Sequence, residues 1–344
     1  MIVFIAQAGV DNVISSGATT SRSIAEAWDK QWIDLLQNST NSFYGALTNL
    51  GIFFAVGTLL FFMFQWLKDL IDSDYSRPIS ALIWPLLIVL LLTNTGSGSA
   101  LSNLTLGVRN LLNTVNQQII TTADANKIYQ QALNMSTAEE IAGSLLRPCG
   151  SLLGEQQSQC LVKASEKASL LWQEYRNLYG NQIWIDRLET KVTQIAYNTG
   201  SVSENAFNAL LGSTMQTIIK NFFVSLQYAF QNLIEATMLL VAALGPLAVG
   251  GSLLPVAGKP IFAWLTGFLC LGISKISFNI IAILTSAVIV NGPGQDASTD
   301  PDLMWFMIFL GLLAPIVSLV IAGAGGFAIF NAISYTGALV RDRV

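Results

Sequence analysis

Two ionisable residues, Glu235 and Lys275, lie in sequence that is otherwise apolar. Lys275 falls near the middle of the stretch 260 to 290, and Glu235 lies at the outer end of the preceding stretch, 236 to 258. An unpaired basic side chain at the centre of a membrane-spanning helix costs about 2.5 to 3.5 kcal/mol, so we expect Lys275 to face a polar group. On two antiparallel helices the residues would be offset by roughly 10 to 15 Å, which a lysine side chain partly closes. The pattern therefore predicts either a structural ion pair or a lysine that faces a water-filled passage.

Cysteine chemistry is the second possibility in the sequence. Cys149 and Cys160 lie in polar sequence a short distance apart, with Gly150 and Gly154 to ease a turn between them. Thiols in an oxidising compartment tend to pair, and a disulfide that closes so short a loop contributes about 2 to 3 kcal/mol. The two residues are therefore a candidate disulfide, and the alternative is two unpaired small residues in a helical hairpin. Cys270 lies in an apolar stretch and is expected to be an ordinary buried thiol.

Other reactive chemistry is scarce. The chain has no histidine and only three cysteines, which removes the commonest general base and leaves too few soft ligands for a structural zinc site. It has no Walker-type phosphate loop, no Gly-x-Ser-x-Gly elbow and no metal-ligand spacing. The formal net charge of -4 is spread thinly, so direct nucleic-acid binding is not indicated. We expect a protein that is not an enzyme and that carries no cofactor.

The apolar stretches contain a predicted helix break at Gly245 and Pro246. Proline lacks the backbone donor and clashes with the preceding turn, so a kink is the minimal consequence. A break of this kind lines a cavity in some transporters, and it is also tolerated within packed membrane helices. The sequence leaves both interpretations open.

Small residues cluster in the last apolar stretch, at Ala322, Gly323, Gly325 and Gly326. Small residues four positions apart, such as Ala322 and Gly326, let two helices approach closely. The cluster predicts either self-association of the chain or close packing within one chain.

Long apolar stretches are the elements that must position all these residues. The chain is 52% hydrophobic and 11% charged, against about 25% charged in soluble domains. A hydrocarbon core about 30 Å thick needs about 20 apolar residues, and five stretches meet or approach that length: 43 to 66, 78 to 92, 236 to 258, 260 to 290 and 303 to 333. The sequence predicts an all-α, polytopic helical membrane protein with about five transmembrane helices and a helical extracytoplasmic insertion.

The predicted organisation has four parts. Residues 1–42 form an N-terminal extracytoplasmic segment whose amphipathic helix lies at the membrane interface or packs on a soluble domain. Residues 43–108 hold the first two transmembrane helices, and the polar residues 109–220 form an extracytoplasmic (periplasmic) helical region. Residues 221–344 hold three C-terminal transmembrane helices and a short cytoplasmic tail. The start, MIVFIAQA, ends like a signal cleavage site, but its apolar core is short and no basic segment precedes it, so we expect it to be retained.

Charge asymmetry predicts the orientation, because cytoplasmic loops of membrane proteins carry an excess of Lys and Arg. The basic residues that mark the cytoplasmic side are Lys68, Arg77, Lys259, Arg341 and Arg343. The loop on the opposite side has no basic residue and contains Asp296, Asp300 and Asp302. The N-terminus is therefore expected outside and the C-terminus in the cytoplasm.

The arrangement of Gly-Pro, Pro and Trp residues in the apolar sequence resembles a known family. The segments that carry the resemblance are Ala242 to Val249, Leu253-Leu-Pro, Lys259 to Trp264 with the helix through Asn279, and Phe64 to Lys68. They are similar to the TrbL-type polytopic inner-membrane subunit of type IV secretion and conjugation systems, over about residues 45 to 95 and 207 to 335. The resemblance brings no catalytic residues, and this chain differs in its compact size and short cytoplasmic tail.

The resemblance implies a multi-pass protein of the bacterial inner membrane with an outside N-terminus, a central periplasmic region and a cytoplasmic C-terminus. It implies a homo-oligomeric ring that works with other secretion-system subunits and helps to pass DNA or protein. The expected function is therefore a channel or scaffold subunit of such a machine. The alternative is a self-standing channel or secondary transporter with a midplane site near Lys275 and Pro246.

Overall fold

The computed structural model describes residues 27–37, 43–71, 76–93, 99–122, 125–197, 214–253, 259–291 and 308–341. Each regular element within these ranges is a helix, which confirms the all-α prediction for the described part of the chain. The N-terminal MIVFIAQA segment, the acidic loop with Asp296, Asp300 and Asp302, and Arg343 lie outside the described residues.

In chain order, the described helices are α1 (27–37), α2 (Phe43–Ile71), α3 (Ser76–Leu92), α4 (Ala100–Thr122), α5 (Ala125–Leu146), α6 (Glu155–Tyr179), α7 (Ile183–Tyr197), α8 (Thr214–Ala243), α9 (Gly245–Gly251), α10 (Lys259–Asn291) and α11 (Ala314–Arg341). A 3₁₀ turn at Arg147–Ser151 joins α5 to the loop before α6, and a π-helical segment at Phe309–Leu313 leads into α11.

Four of the described helical segments are long and apolar enough to cross a membrane. They are Phe43–Lys68, Ser225–Gly251, Lys259–Val288 and Phe309–Ala328. These candidate spans indicate a membrane protein. The other predicted span corresponds to α3, whose 17 residues extend about 26 Å, slightly less than the thickness of a hydrocarbon core.

The chain divides into two compact units. The disulfide unit contains residues 1–18, 118–230 and 278–316, and the ion-pair unit contains residues 19–117, 231–277 and 317–344. The division cuts through α4, α8, α10 and the first turn of α11, so a unit is not a set of whole helices. The predicted domain borders at 109 and 221 follow a change in polarity and fall inside the continuous helices α4 and α8.

The described core of the disulfide unit is built by α5, α6 and α7. Trp172, Tyr175 and Trp184 are almost completely buried there, and the rings of Tyr175 and Trp184 meet edge to face with centroids 5.4 Å apart. Gly180, with φ of +75°, ends α6 in a conformation that favours glycine and turns the chain into α7. These contacts form a small helical core beside the disulfide.

The ion-pair unit has an apolar cluster at one end of its helices. Its buried members come from α2, α3, α4, α10 and the α9 end, namely Ala55, Ile88, Leu92, Leu101, Val249, Leu253 and Trp264. Because the end of α3, the start of α4, the end of α9 and the early part of α10 share this cluster, these four helix ends lie at one level of the unit.

Candidate functional site

The central contact of the candidate site is the ion pair between Glu235 on α8 and Lys275 on α10. The structure brings the two residues together as a salt bridge, with side chains only 11% and 24% exposed. Trp264 Nε1 on α10 donates to the Val241 carbonyl on α8 at 2.7 Å. The later residue on α8, Val241, contacts the earlier residue on α10, Trp264, so the two helices are antiparallel here. The offset of roughly 10 to 15 Å expected from counting residues therefore does not keep the two charges apart.

Helix α4 contributes two residues that the sequence reasoning did not identify. Lys275 Nζ donates to Asn113 Oδ1 at 3.2 Å, and the side chain of Arg109 is buried. Both residues had been expected in the outside region 109–220. A signal was present in the sequence, because Ser102, Thr105, Arg109, Asn113 and Asn116 recur at steps of three and four with leucines between them.

Helix α1 covers the ion pair with its tryptophans. Trp32, which is completely buried, donates from Nε1 to Glu235 Oε2 at 3.2 Å, and Trp28 Nε1 donates to Asn232 Oδ1 at 2.8 Å. The guanidinium of Arg109 lies over the Trp32 ring, 4.8 Å from its centroid. The amphipathic helix therefore packs with its tryptophan face against α4 and α8 of the ion-pair unit, rather than on a separate soluble domain.

The charges of this site balance. Arg109 pairs with Asp29 of α1 at 2.5 Å, and Lys275 pairs with Glu235, so two cations face two carboxylates. The Asp29 side chain is 59% exposed, so Glu235 and Lys275 form the more buried pair. Removing one partner of a buried pair is costly, because the remaining charge has no compensation. Arg109 Nε is buried and has no hydrogen-bond partner among the described residues. We call Asp29, Arg109, Asn113, Glu235 and Lys275, with Trp32, the charge cluster.

The predicted helix break is a packing feature in the described structure. Helix α8 ends at Ala243, and α9 begins at Gly245 with Pro246 in its first turn, where the missing donor is tolerated. A Cβ added at Gly250 would collide with the backbone carbonyl of Gly51 on α2. One added at Gly51 would likewise collide with the carbonyl of Pro246. The backbone around the break thus lies directly against the backbone of α2. The break contacts α2 and not Lys275.

The small residues of α11 divide between two faces. Ala322 is buried, and a Cβ added at Gly326 would collide with the Cys270 sulfur of α10. A Cβ added at Gly323 or Gly325 would meet none of the described atoms within 4 Å. Close packing within the chain therefore uses Ala322 and Gly326, and the other two glycines face away from it. Cys270 is partly buried, as an unpaired thiol in this contact.

The disulfide between Cys149 and Cys160 is present, with Cα atoms 5.6 Å apart. Cys149 lies fully buried in the 3₁₀ turn, and Cys160 lies in the second turn of α6. Gly154, with φ of +61°, reverses the chain between them. The predicted pairing is confirmed. Among the described residues no three His, Cys, Asp or Glu side chains are grouped closely enough to hold a metal ion.

Comparison of the chain with protein-family models, with characterised proteins and with solved structures gives no match in any of the three.

Proposed function

We propose that this protein is a channel or scaffold subunit of a type IV secretion machine in the bacterial inner membrane. The observation that carries the proposal is the pairing of two kinds of structure in one chain. Four helices suit a membrane, and in the polar sequence between the first and the second of them the chain forms a helical core with a disulfide. A disulfide is typical of an oxidising compartment, so this core is suited to dock other subunits outside the cytoplasm. The reason for proposing a type IV secretion machine in particular is the sequence resemblance to the TrbL-type family.

The proposed orientation has the N-terminus outside, the part of the region 109–220 that follows α4 in the periplasm and the C-terminus in the cytoplasm. Its support is the distribution of basic residues and the disulfide, which both favour the same arrangement. DNA or protein would pass through a ring of subunits, since the thinly spread charge offers no basic surface for nucleic acid.

Oligomerisation is proposed through the outward face of α11. Gly323 lies there between the exposed side chains of Val320 and Phe327. A glycine between large apolar side chains lets a second helix approach closely in lipid. The face of Ala322 and Gly326 is already used within the chain, so it is not the proposed subunit contact.

Purification in several mild detergents tests the ring. We expect a multimer of defined size that Gly323→Leu weakens. Gly57→Leu is the matched control, since Gly57 on α2 is equally open to addition of a side chain. A pull-down from native membranes should also retrieve other secretion-system subunits. A monomer in every detergent, together with no co-purified partner, would contradict the proposal.

A self-standing channel or transporter is the second candidate, and the charge cluster favours it. Ionisable residues deep in a membrane helix often mark a substrate or ion pathway, and Lys275 lies mid-way along α10. Flux through the purified protein in liposomes, without partners and abolished by Lys275→Met, would support this function over the secretion subunit. The double variant Glu235→Gln with Lys275→Met controls for the loss of the ion pair.

A further inference from the structure

We infer that α4 is itself embedded in the membrane beside α10, so that the charge cluster is an intramembrane site. The sequence prediction places residues from 109 onward outside the membrane, and α4 is not among the helices that are apolar enough to be candidate spans. The inference requires only that α10 crosses a membrane, and it is independent of the proposed role in secretion.

Three contacts fix α4 against α10. Leu101 shares the apolar cluster with Trp264. A Cβ added at Gly272 would collide with the Leu112 side chain. Asn113 accepts a hydrogen bond from Lys275 at 3.2 Å. In all three contacts the residue on α10 follows its partner on α4 by nearly the same number of sequence positions. The two helices therefore run parallel and side by side over this length.

The depth of α4 follows from the position of Lys275. The apolar segment of α10 runs over 30 residues, Lys259–Val288, and a hydrocarbon core takes about 20 of them. Any stretch of that length inside the segment contains Lys275. Asn113, bonded to Lys275, then lies at the level of this apolar segment. Helix α4 has 23 residues, or about 35 Å, which is enough to cross.

The burial pattern on α4 is mixed. Ser102, Thr105 and Arg109 are buried together with Leu101 and Leu106, whereas Leu104 and Leu111 are exposed beside polar residues such as Asn103 and Asn110. Three of these buried side chains have acceptors within the protein: the Ser102 hydroxyl donates to the Ser99 carbonyl, the Thr105 hydroxyl to the Leu101 carbonyl, and an Arg109 terminal nitrogen to Asp29. Internal acceptors of this kind are what a helix in lipid requires. Hydropathy averaged around the helix conceals this arrangement.

The inference changes the order of crossings. If α4 crosses, Thr93 at the end of α3 lies on the same side as Lys259, and Lys127 just beyond α4 lies on the opposite side. The five-span prediction instead places Thr93 and Lys127 together outside. All three side chains are exposed, so each position can be replaced by a reporter without disturbing the core.

Labelling with a membrane-impermeant maleimide tests the inference. Thr93→Cys, Lys127→Cys and Lys259→Cys are made one at a time in a Cys270→Ala background that keeps the disulfide. Labelling in right-side-out and inverted vesicles should show Thr93→Cys reacting with Lys259→Cys on one side and Lys127→Cys on the other. Labelling of Thr93→Cys and Lys127→Cys from one side would overturn the inference. Labelling after detergent solubilisation establishes that each thiol is reactive.

A second measurement reports on depth. Leu111 is 63% exposed on α4 and Leu170 is 50% exposed on α6. If α4 is embedded, Leu111→Cys faces lipid and stays unlabelled in vesicles of both orientations, whereas Leu170→Cys reacts in one of them. Equal labelling of the two would show that α4 is in water and would refute the inference, whatever the outcome for the secretion role.

Discussion

Neutralising Glu235 should destabilise the protein more than the loss of one hydrogen bond would. Glu235→Gln keeps an oxygen that can accept from Trp32 and removes the charge that compensates Lys275. Breaking a buried ion pair on one side costs about 3 to 5 kcal/mol. Lys275 is 24% exposed and keeps Asn113 as an acceptor, so we expect the lower end, about 3 kcal/mol. Removing both charges with Glu235→Gln and Lys275→Met should recover most of this loss.

Equilibrium unfolding in mixed detergent micelles measures the four members of this double-mutant cycle. Asp186→Asn serves as a control for an exposed ion pair, because Asp186 pairs with Arg176 at the surface and its side chain is 64% exposed. That change should cost less than about 1 kcal/mol. If the losses of the two single variants add to within about 0.5 kcal/mol in the double variant, the charges are not coupled and the reasoning fails.

Three further changes have definite expected outcomes. Cys149→Ser opens a loop with a sequence separation of 11 and should lower the free energy of unfolding of the disulfide unit by about 3 kcal/mol, as measured by urea unfolding. A reductant should lower the stability of the wild type by the same amount and should not affect the variant. Gly250→Ala forces a methyl group into the α2 backbone and should cost about 1 to 3 kcal/mol, whereas Gly57→Ala, with open space around it, should not lower the melting temperature. Gly326→Ala should lower the melting temperature through its collision with the Cys270 sulfur, and Cys270→Ala should restore it; absence of rescue would contradict the packing.

The parts of the fold that depend on composition along the chain could be predicted from sequence. Apolar length identified the helices now seen as α2, α8, α10 and α11, and the position of Cys149 and Cys160 in polar sequence led to the disulfide. Lys275 was expected to need a polar neighbour because of the cost of burying its charge, and Glu235 is that neighbour.

The contributions of α1 and α4 could not be predicted in the same way. An average over a stretch of sequence does not separate a buried polar face from an exposed one, so Arg109 and Asn113 were assigned to the outside region. For α1 the periodicity gave the face that contains Trp28 and Trp32 but not what this face contacts. Indole N–H groups suit a membrane interface and a buried carboxylate equally well, and only the tertiary structure shows that Trp32 bonds Glu235.

The charge cluster has equal numbers of positive and negative side chains, which is relevant to whether it could line an ion passage. Each cation already has a carboxylate partner, and α1 supplies both Asp29 and the Trp32 indole. A site with no net charge exerts little attraction on a passing ion at a distance. For Glu235 to face an open passage, Trp32 of α1 would have to leave it, and displacing α1 would also leave Arg109 without Asp29. In the proposed ring the cluster is therefore better suited to hold α1 and α4 on the α8 and α10 pair, which leaves the outer face of α11 for contacts between subunits.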